Sequence, residues 1–312
     1  MKRDAQFAIQ ILGSIACFWW IFRIVSPELL IESLTRASVL LVGLLAIIMI
    51  PAVLARAWRW HYLLSRRNIP VSLTSITKAT FIGMALNLIL PASAGDLLRS
   101  YYSWQEHGHK EEMIATTLSD KVVALLSLFV LGALGGLAYG DKTLVFIASS
   151  LILPTSAILF IPMRWIWKML ARGTNRLLRR DLDVDLLLQS FHVTVPTFCG
   201  AMIISMIGWM ITNLMYYLAL WAVGADVGLG YTFAIAPLIN ILRMLPLSIS
   251  GLGSADALMV HLLENVGIAK HVALAASMLV NLTLLLLPGA IGVLFMLIHG
   301  RNNLRRSQLV HP

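Results

Sequence analysis

Apolar residues fall along this chain in long blocks divided by short polar stretches. Six blocks are long enough to cross about 30 Å of hydrocarbon as helices: residues 5–24, 37–55, 114–140, 143–163, 194–222 and 272–298. Two other blocks break the pattern. The stretch 76–91 has only 16 residues, about 24 Å as a helix, and it ends at Pro91. The stretch 231–249 contains Pro237, Arg243 and Pro246, which do not suit a helix facing lipid. The first block follows a basic start, "MKRDAQ", and lacks a small-x-small cleavage site. It is expected to be an uncleaved first span rather than a signal peptide.

Loop charges orient these spans. With a cytoplasmic N-terminus, the inner segments hold sixteen Lys and Arg residues and the outer ones hold four: Arg23, Arg36, Lys142 and Lys270. That is the positive-inside bias, and it places both termini on the cytoplasmic side of a cytoplasmic membrane. It has a further consequence. Residues 76–113 must enter the membrane and return to the inner side, and 231–270 must enter from outside and return outside. The pattern therefore predicts an all-α polytopic membrane protein with about six spans and two re-entrant helical hairpins of opposite sense. The hairpins share a motif: "LPASAGD" at 90–96 and "LPLSISGLGSAD" at 245–256. Opposite orientation with local similarity points to an inverted repeat of the secondary-transporter kind. The chain then reads as one membrane domain, 1–312, with repeats at about 37–140 and 194–298.

Composition agrees. Hydrophobic residues make up 59% and charged residues 12%, against about 25% charged in soluble domains. The net charge of +9 is explained by the cytoplasmic loops, and there is no nucleic-acid motif. Arg164, Lys168, Arg172, Arg176 and Arg180 recur every four residues, so 164–190 reads as a basic amphipathic segment on the inner leaflet. Cys17 and Cys199 both lie in apolar runs, which argues against a structural disulfide or a metal site. His107 and His109, beside Glu106, Glu111 and Glu112, are two residues apart, poor ligand spacing on a helix. They read as a solvated loop, and no cofactor is expected.

The hairpins carry the candidate chemistry. Backbone that is not helical is tolerated at membrane depth only when buried in protein or lining a watery cavity. Pro91 would end the entering helix, and Ser93 would cap the next one with Asp96 three residues on. Asp96, Arg99, Ser100 and Ser103 then share a face. The second hairpin offers Arg243 before its break, and Ser248, Ser254 and Asp256 at or after it. Arg99 and Arg243 can hold a phosphate, because the guanidinium fork matches phosphate oxygens and stays charged when buried. Alternatively each pairs with a nearby Asp to hold its hairpin together. Asp96, Asp120 and Asp256 are candidates for carrying protons. Helix capping is the other reading of Asp96 and Asp256, and an interfacial anchor that of Asp120. Arg56 and Arg59 flank Trp58 and Trp60; these four form either an interface anchor or a headgroup contact.

The stretch "NLILPASAGDLLRSY", preceded by "RAWRWHYLL", resembles the membrane domain of the lysylphosphatidylglycerol synthases and the stand-alone flippase-like proteins related to it. The matching positions are Asn87, Leu90, Pro91, Gly95, Asp96 and Arg99, then Pro246, Ser248, Gly251, Gly253 and Asp256. The resemblance covers about 40–298. The family often has Glu where Asp96 and Asp256 stand. The synthases also carry a soluble aminoacyl-transferring domain, and this sequence ends at Pro312. The resemblance therefore implies handling of lipid rather than its synthesis. The expectation is binding and transbilayer movement of an anionic phospholipid or lipid-linked headgroup, with Arg56, Arg59, Asn87, Ser93, Asp96, Arg99, Arg243, Ser248 and Asp256 around the ligand. The alternatives are an intramembrane lipid-modifying transferase, or a scaffold that partners a lipid-modifying enzyme.

Overall fold

A computed structural model describes residues 12–17, 19–21, 23–90, 94–160, 191, 193–245 and 247–310, with side chains omitted for 160 and 299–310. Pro91, Ser93, Pro246 and the basic segment 164–190 lie outside the described residues.

The described residues are helical, with no strand among them. A short helix, α1 (Pro27–Thr35), precedes α2 (Val39–Ser65), α3 (Leu73–Asn87), α4 (Ala94–His107), α5 (Lys110–Tyr139) and α6 (Lys142–Phe160). The second half holds α7 (Val195–Ala222), α8 (Leu229–Met244), α9 (Ser254–Glu264), α10 (Lys270–Asn281), a π-helical turn at Leu282–Leu286 and α11 (Leu287–Val310). Among the described residues, five helical stretches are long and apolar enough to cross a membrane: Val39–Ser65, Lys110–Tyr139, Lys142–Leu159, Val195–Ala222 and Lys270–Ile298. The chain is a multi-pass membrane protein. The expected first span, 5–24, is represented by the shorter apolar stretch Leu12–Ile21. Val39, Ile47, Phe146, Leu153 and Ile203 face outward and are well exposed, as lipid-facing side chains are.

Helix limits differ from the hydropathy reading in one important place. The run 37–55 was bounded by the first charge, Arg56. The structure continues α2 for ten more residues, to Ser65, and buries Arg59 and Trp60 inside it. A charge ends a lipid-facing helix only when it has no partner within the protein, and Arg59 has one. Buried Arg59 and Trp60 do not act as an interface anchor, although Trp58 remains exposed.

The helices recur in the order long, short, short, long. The first unit has 27, 15, 14 and 30 residues in α2 to α5. The second has 28, 16 and 11 in α7 to α9, then the continuous α10–π–α11 stretch. Packing follows the same order across the units: α2 against α7, α3 against α11, and α8 against α5. Small residues at the contacts explain why. α5 carries Gly132-Ala133-Leu134-Gly135, and α11 carries Gly289-Ala290-Ile291-Gly292. A Cβ on Gly135 would lie 2.6 Å from the carbonyl oxygen of Phe233, and one on Gly292 would overlap the carbonyl oxygen of Phe81. Each of these phenylalanines follows a threonine on its short helix, Thr80 in α3 and Thr232 in α8. Within a membrane, such glycines let backbones approach and gain dispersion contact where hydrophobic burial gives no drive.

The breaks of the two units touch. Ser250, in the loop between α8 and α9, has φ of 53° and donates its hydroxyl hydrogen to the carbonyl of Asn87 at the end of α3. Leu88 fills the space left by Gly289 of α11. The N-terminal helical residues close the loop from another side, where Ser14 Oγ accepts the N–H of Ile249 at 3.0 Å.

Candidate functional site

Behind the touching loops lies a cavity of about 150 Å³. Polar and charged side chains line it from both units: Arg56, Arg59, Asn87, Asp96, Arg99, Asp120 and Lys121 from the first, and Thr212, Asn240, Arg243 and Ser250 from the second. Trp209, Ala124, Met244, Leu284 and Leu285 complete the wall with apolar surface. Leu284 and Leu285 belong to the π-helical turn, a form that occurs mostly as single turns within α-helices and frequently at functional positions.

The charges form two linked groups. Asp120 receives Arg59 in the forked geometry, Nε to Oδ1 at 2.5 Å and a terminal nitrogen to Oδ2 at 3.1 Å. It also receives Arg99, from a terminal nitrogen to Oδ2 at 2.7 Å. Arg99 and Asp120 are each 2% exposed. Arg59 spends its remaining terminal nitrogen on Ser205 Oγ at 2.8 Å. The Arg99 guanidinium lies 4.4 Å from the ring centre of Trp60, a cation–π contact that strengthens where water is absent. In the second group, Asp96 receives Lys121 Nζ at 2.6 Å and Asn87 Nδ2 at 3.1 Å. Adjacent residues on a helix point in different directions, so Asp120 and Lys121 serve different partners.

The motif glycine Gly95 has a steric role here. A Cβ at that position would overlap the carbonyl of Gly83 and come within 2.6 Å of both the Asn87 backbone nitrogen and Oδ1. Only glycine lets α4 lie against α3 closely enough for Asn87 and Asp96 to meet. Gly251 acts similarly in the second unit. It has φ of +78°, and a Cβ there would strike Arg243 Cγ at 2.6 Å.

Arg243 donates to Asn281 Oδ1 at 2.6 Å. The amide nitrogen of Asn281 then donates to Asp256 Oδ1 at 2.8 Å. Asp256 also receives Ser277 Oγ at 2.5 Å and the Gly253 N–H at 2.8 Å. The last of these bonds is the return half of a capping box at the start of α9. Asp256 therefore holds the cap and reaches the cavity only through Asn281. Ser248 is buried, bonded to Ser254 Oγ at 2.6 Å, and does not line the cavity. Ser93 lies outside the described residues.

Of the residues expected around a ligand, the structure brings Arg56, Arg59, Asn87, Asp96, Arg99 and Arg243 to one cavity, with Asp120 among them. It leaves Ser248 and Asp256 behind the wall. Arg99 pairs with Asp120 of α5 and not with Asp96 of its own helix. Arg243 takes an amide and no carboxylate. The sequence reading missed Lys121 as the partner of Asp96, and also Trp209, Thr212, Asn240 and Ser250. Two signals were available for part of this set: Thr212 is polar within an apolar span, and Asn240 falls on a short helix as Asn87 does.

Some buried polar atoms have no hydrogen-bond partner among the described residues. They include Arg99 Nε, Arg243 Nε and Asn87 Oδ1, all on cavity-lining side chains. Buried donors without acceptors are costly, and these three belong to side chains that line the cavity.

No curated protein matches the chain. Residues 7–292 of its 312 match the family described as the lysylphosphatidylglycerol synthase TM region. Of the motif positions of that resemblance, Asn87, Asp96 and Arg99 line the cavity, Gly95 and Gly251 pack against side chains that line it, and the match runs through both four-helix units. The chain belongs to the lysylphosphatidylglycerol synthase transmembrane family.

Proposed function

We propose that the protein binds an anionic lipid, or a lipid-linked headgroup, through its phosphate, and moves it across the cytoplasmic membrane. The observation that carries this reading is the cavity between the two units. Five cationic side chains share it with two carboxylates, and the rest of its wall joins neutral polar groups (Asn87, Thr212, Asn240 and Ser250) to apolar surface. Intramembrane charge is expensive and is kept where it meets a substrate, an ion path or a partner. A phosphate would balance the excess positive charge, while Met244, Leu284 and Leu285 would border its hydrocarbon.

In this reading the two four-helix units are an inverted repeat, with α3–α4 and α8–α9 as re-entrant hairpins entering from opposite sides and both termini in the cytoplasm. The exchanged packing of the first short helix of each unit on the last long stretch of the other supports this arrangement. So does the paired Gly-Ala-x-Gly motif. Rocking of one unit against the other would open the cavity to each leaflet in turn. The arrangement places His109, in the turn between α4 and α5, on the cytoplasmic side. A single cysteine at position 109, with Cys17 and Cys199 replaced by Ala, should react with an impermeant maleimide in inside-out vesicles and not in intact cells. Labelling in intact cells alone would remove the first hairpin.

Transport is tested in liposomes. Purified protein reconstituted with a fluorescent anionic phospholipid in both leaflets should raise the fraction reached by an external quencher beyond that of protein-free vesicles. Lipid that co-purifies but does not cross would instead favour the scaffold role.

A further inference from the structure

We infer that the phosphate recognised in the cavity carries at least two negative charges, so that the ligand is a lipid phosphate monoester or a lipid diphosphate and not a phosphodiester. This rests on the anionic-lipid reading above and narrows it.

The argument is a charge count made partner by partner. Arg56, Arg59, Arg99, Lys121 and Arg243 face Asp96 and Asp120, an excess of three positive charges. Lys121 is neutralised by Asp96. Asp120 serves both Arg59 and Arg99 and so leaves one of their charges open. Arg56 has a cation–π contact with Trp209 at 5.8 Å and Arg243 has the amide oxygen of Asn281, and neither contact supplies negative charge. Crediting Asp256 to Arg243, through Asn281, still leaves two open charges. At membrane depth these repel one another strongly, because the low dielectric does little to screen them.

A phosphodiester brings one negative charge and would leave the site positive. A phosphate monoester brings about −1.5 to −2 at neutral pH, with its second ionisation near pH ~6, and a diphosphate brings more. The cations of the cavity also come from both units, Arg99 from the first and Arg243 from the second. They suit a group with several terminal oxygens better than a diester, whose two bridging oxygens accept poorly. A headgroup with a net positive charge, such as an aminoacylated phosphodiester, would be repelled.

The test compares probes on the purified full chain in detergent, with binding read by native mass spectrometry. The probes are phosphatidylglycerol, phosphatidic acid, a prenyl diphosphate and inorganic diphosphate. At pH 7.5 the monoester and the prenyl diphosphate should bind at least about tenfold more tightly than the diester, as expected when a site built for charge-assisted bonds is left incompletely filled. The preference for phosphatidic acid should shrink at pH 5, where it loses its second charge. No histidine lines the cavity among the described residues, so this loss belongs to the ligand, and the wild-type protein alone shows it. Arg243→Gln should reduce the preference. Equal binding of diester and monoester overturns the inference and leaves the anionic-lipid reading intact. Failure of every anionic lipid to bind overturns that reading as well. Inorganic diphosphate bound as tightly as the prenyl ester would assign the site to a free anion and overturn the lipid assignment.

Discussion

Replacing Asp120 with Asn should destabilise the protein more than any other single substitution around the cavity. The side chain is nearly isosteric, so packing is preserved, but it leaves Arg59 and Arg99 buried without their shared carboxylate. Removing one partner of a buried ion pair costs about 3–5 kcal/mol, and here two guanidinium groups depend on the same acid. The three residues come from α2, α4 and α5, so the loss should loosen the packing of the first hairpin as a whole. Thermal unfolding in detergent, followed by tryptophan fluorescence, is a suitable readout because Trp60 lies beneath Arg99. Asp120→Glu keeps the charge and should lose much less. A bound anionic lipid should raise the midpoint of the Asn variant by more than it raises that of the wild type, since the phosphate would then meet two freed arginines. If the Asn variant unfolds with the wild-type midpoint, the triad does not hold the hairpin. If lipid stabilises both proteins equally, Asp120 does not stand in for the ligand.

Arg243→Gln and Arg56→Gln should have the opposite profile. Neither arginine neutralises a carboxylate directly, so removing either leaves no orphaned buried acid. Both substitutions lower a local positive excess, which by itself relieves repulsion. Folding should therefore be nearly preserved. Binding should not be, because a hydrogen bond to a charged group contributes roughly 1.5–3 kcal/mol, about ten- to a hundredfold in affinity. The expected result is normal accumulation and an unfolding midpoint close to wild type, with lipid retention and liposome transport both reduced. Arg99→Gln cannot separate these effects, because Arg99 also holds Asp120 and covers Trp60. Full lipid binding by both the Arg56 and the Arg243 variants would remove the phosphate from this cavity.

Much of the architecture was legible in the pattern of apolar blocks. Long runs without charges can only be helices in lipid, since every backbone polar group must be satisfied within the segment. That reasoning found α2, α5, α6, α7 and the α10–α11 stretch, and it set apart the two short interrupted segments. It also marked Asp96, Arg99, Asp120 and Arg243, because a charge within an apolar block needs a reason to be there, whereas Asn87 came from the family resemblance.

The sequence could not say which charges meet. Local spacing favoured Asp96 with Arg99, three residues apart on one helix. The structure instead gives Arg99 to Asp120 on the next helix and Asp96 to Lys121. Hydropathy ended the second span at Arg56, because a charge in hydrocarbon costs energy. The structure continues the helix past Arg59, because Asp120 and Ser205 from two other helices remove that cost. The Leu-Pro-x-Ser likeness made Ser248 and Asp256 seem equivalent to cavity residues. Only the fold shows Asp256 capping α9 behind Asn281. Helix formation is settled within one segment by backbone hydrogen bonding, and the sequence determined it alone. Charge pairing depends on how segments far apart in the chain pack together. Glycines that let backbones touch, Gly95 on Gly83 and Gly292 on Phe81, decide that packing, and tertiary structure alone determined which residues share the cavity.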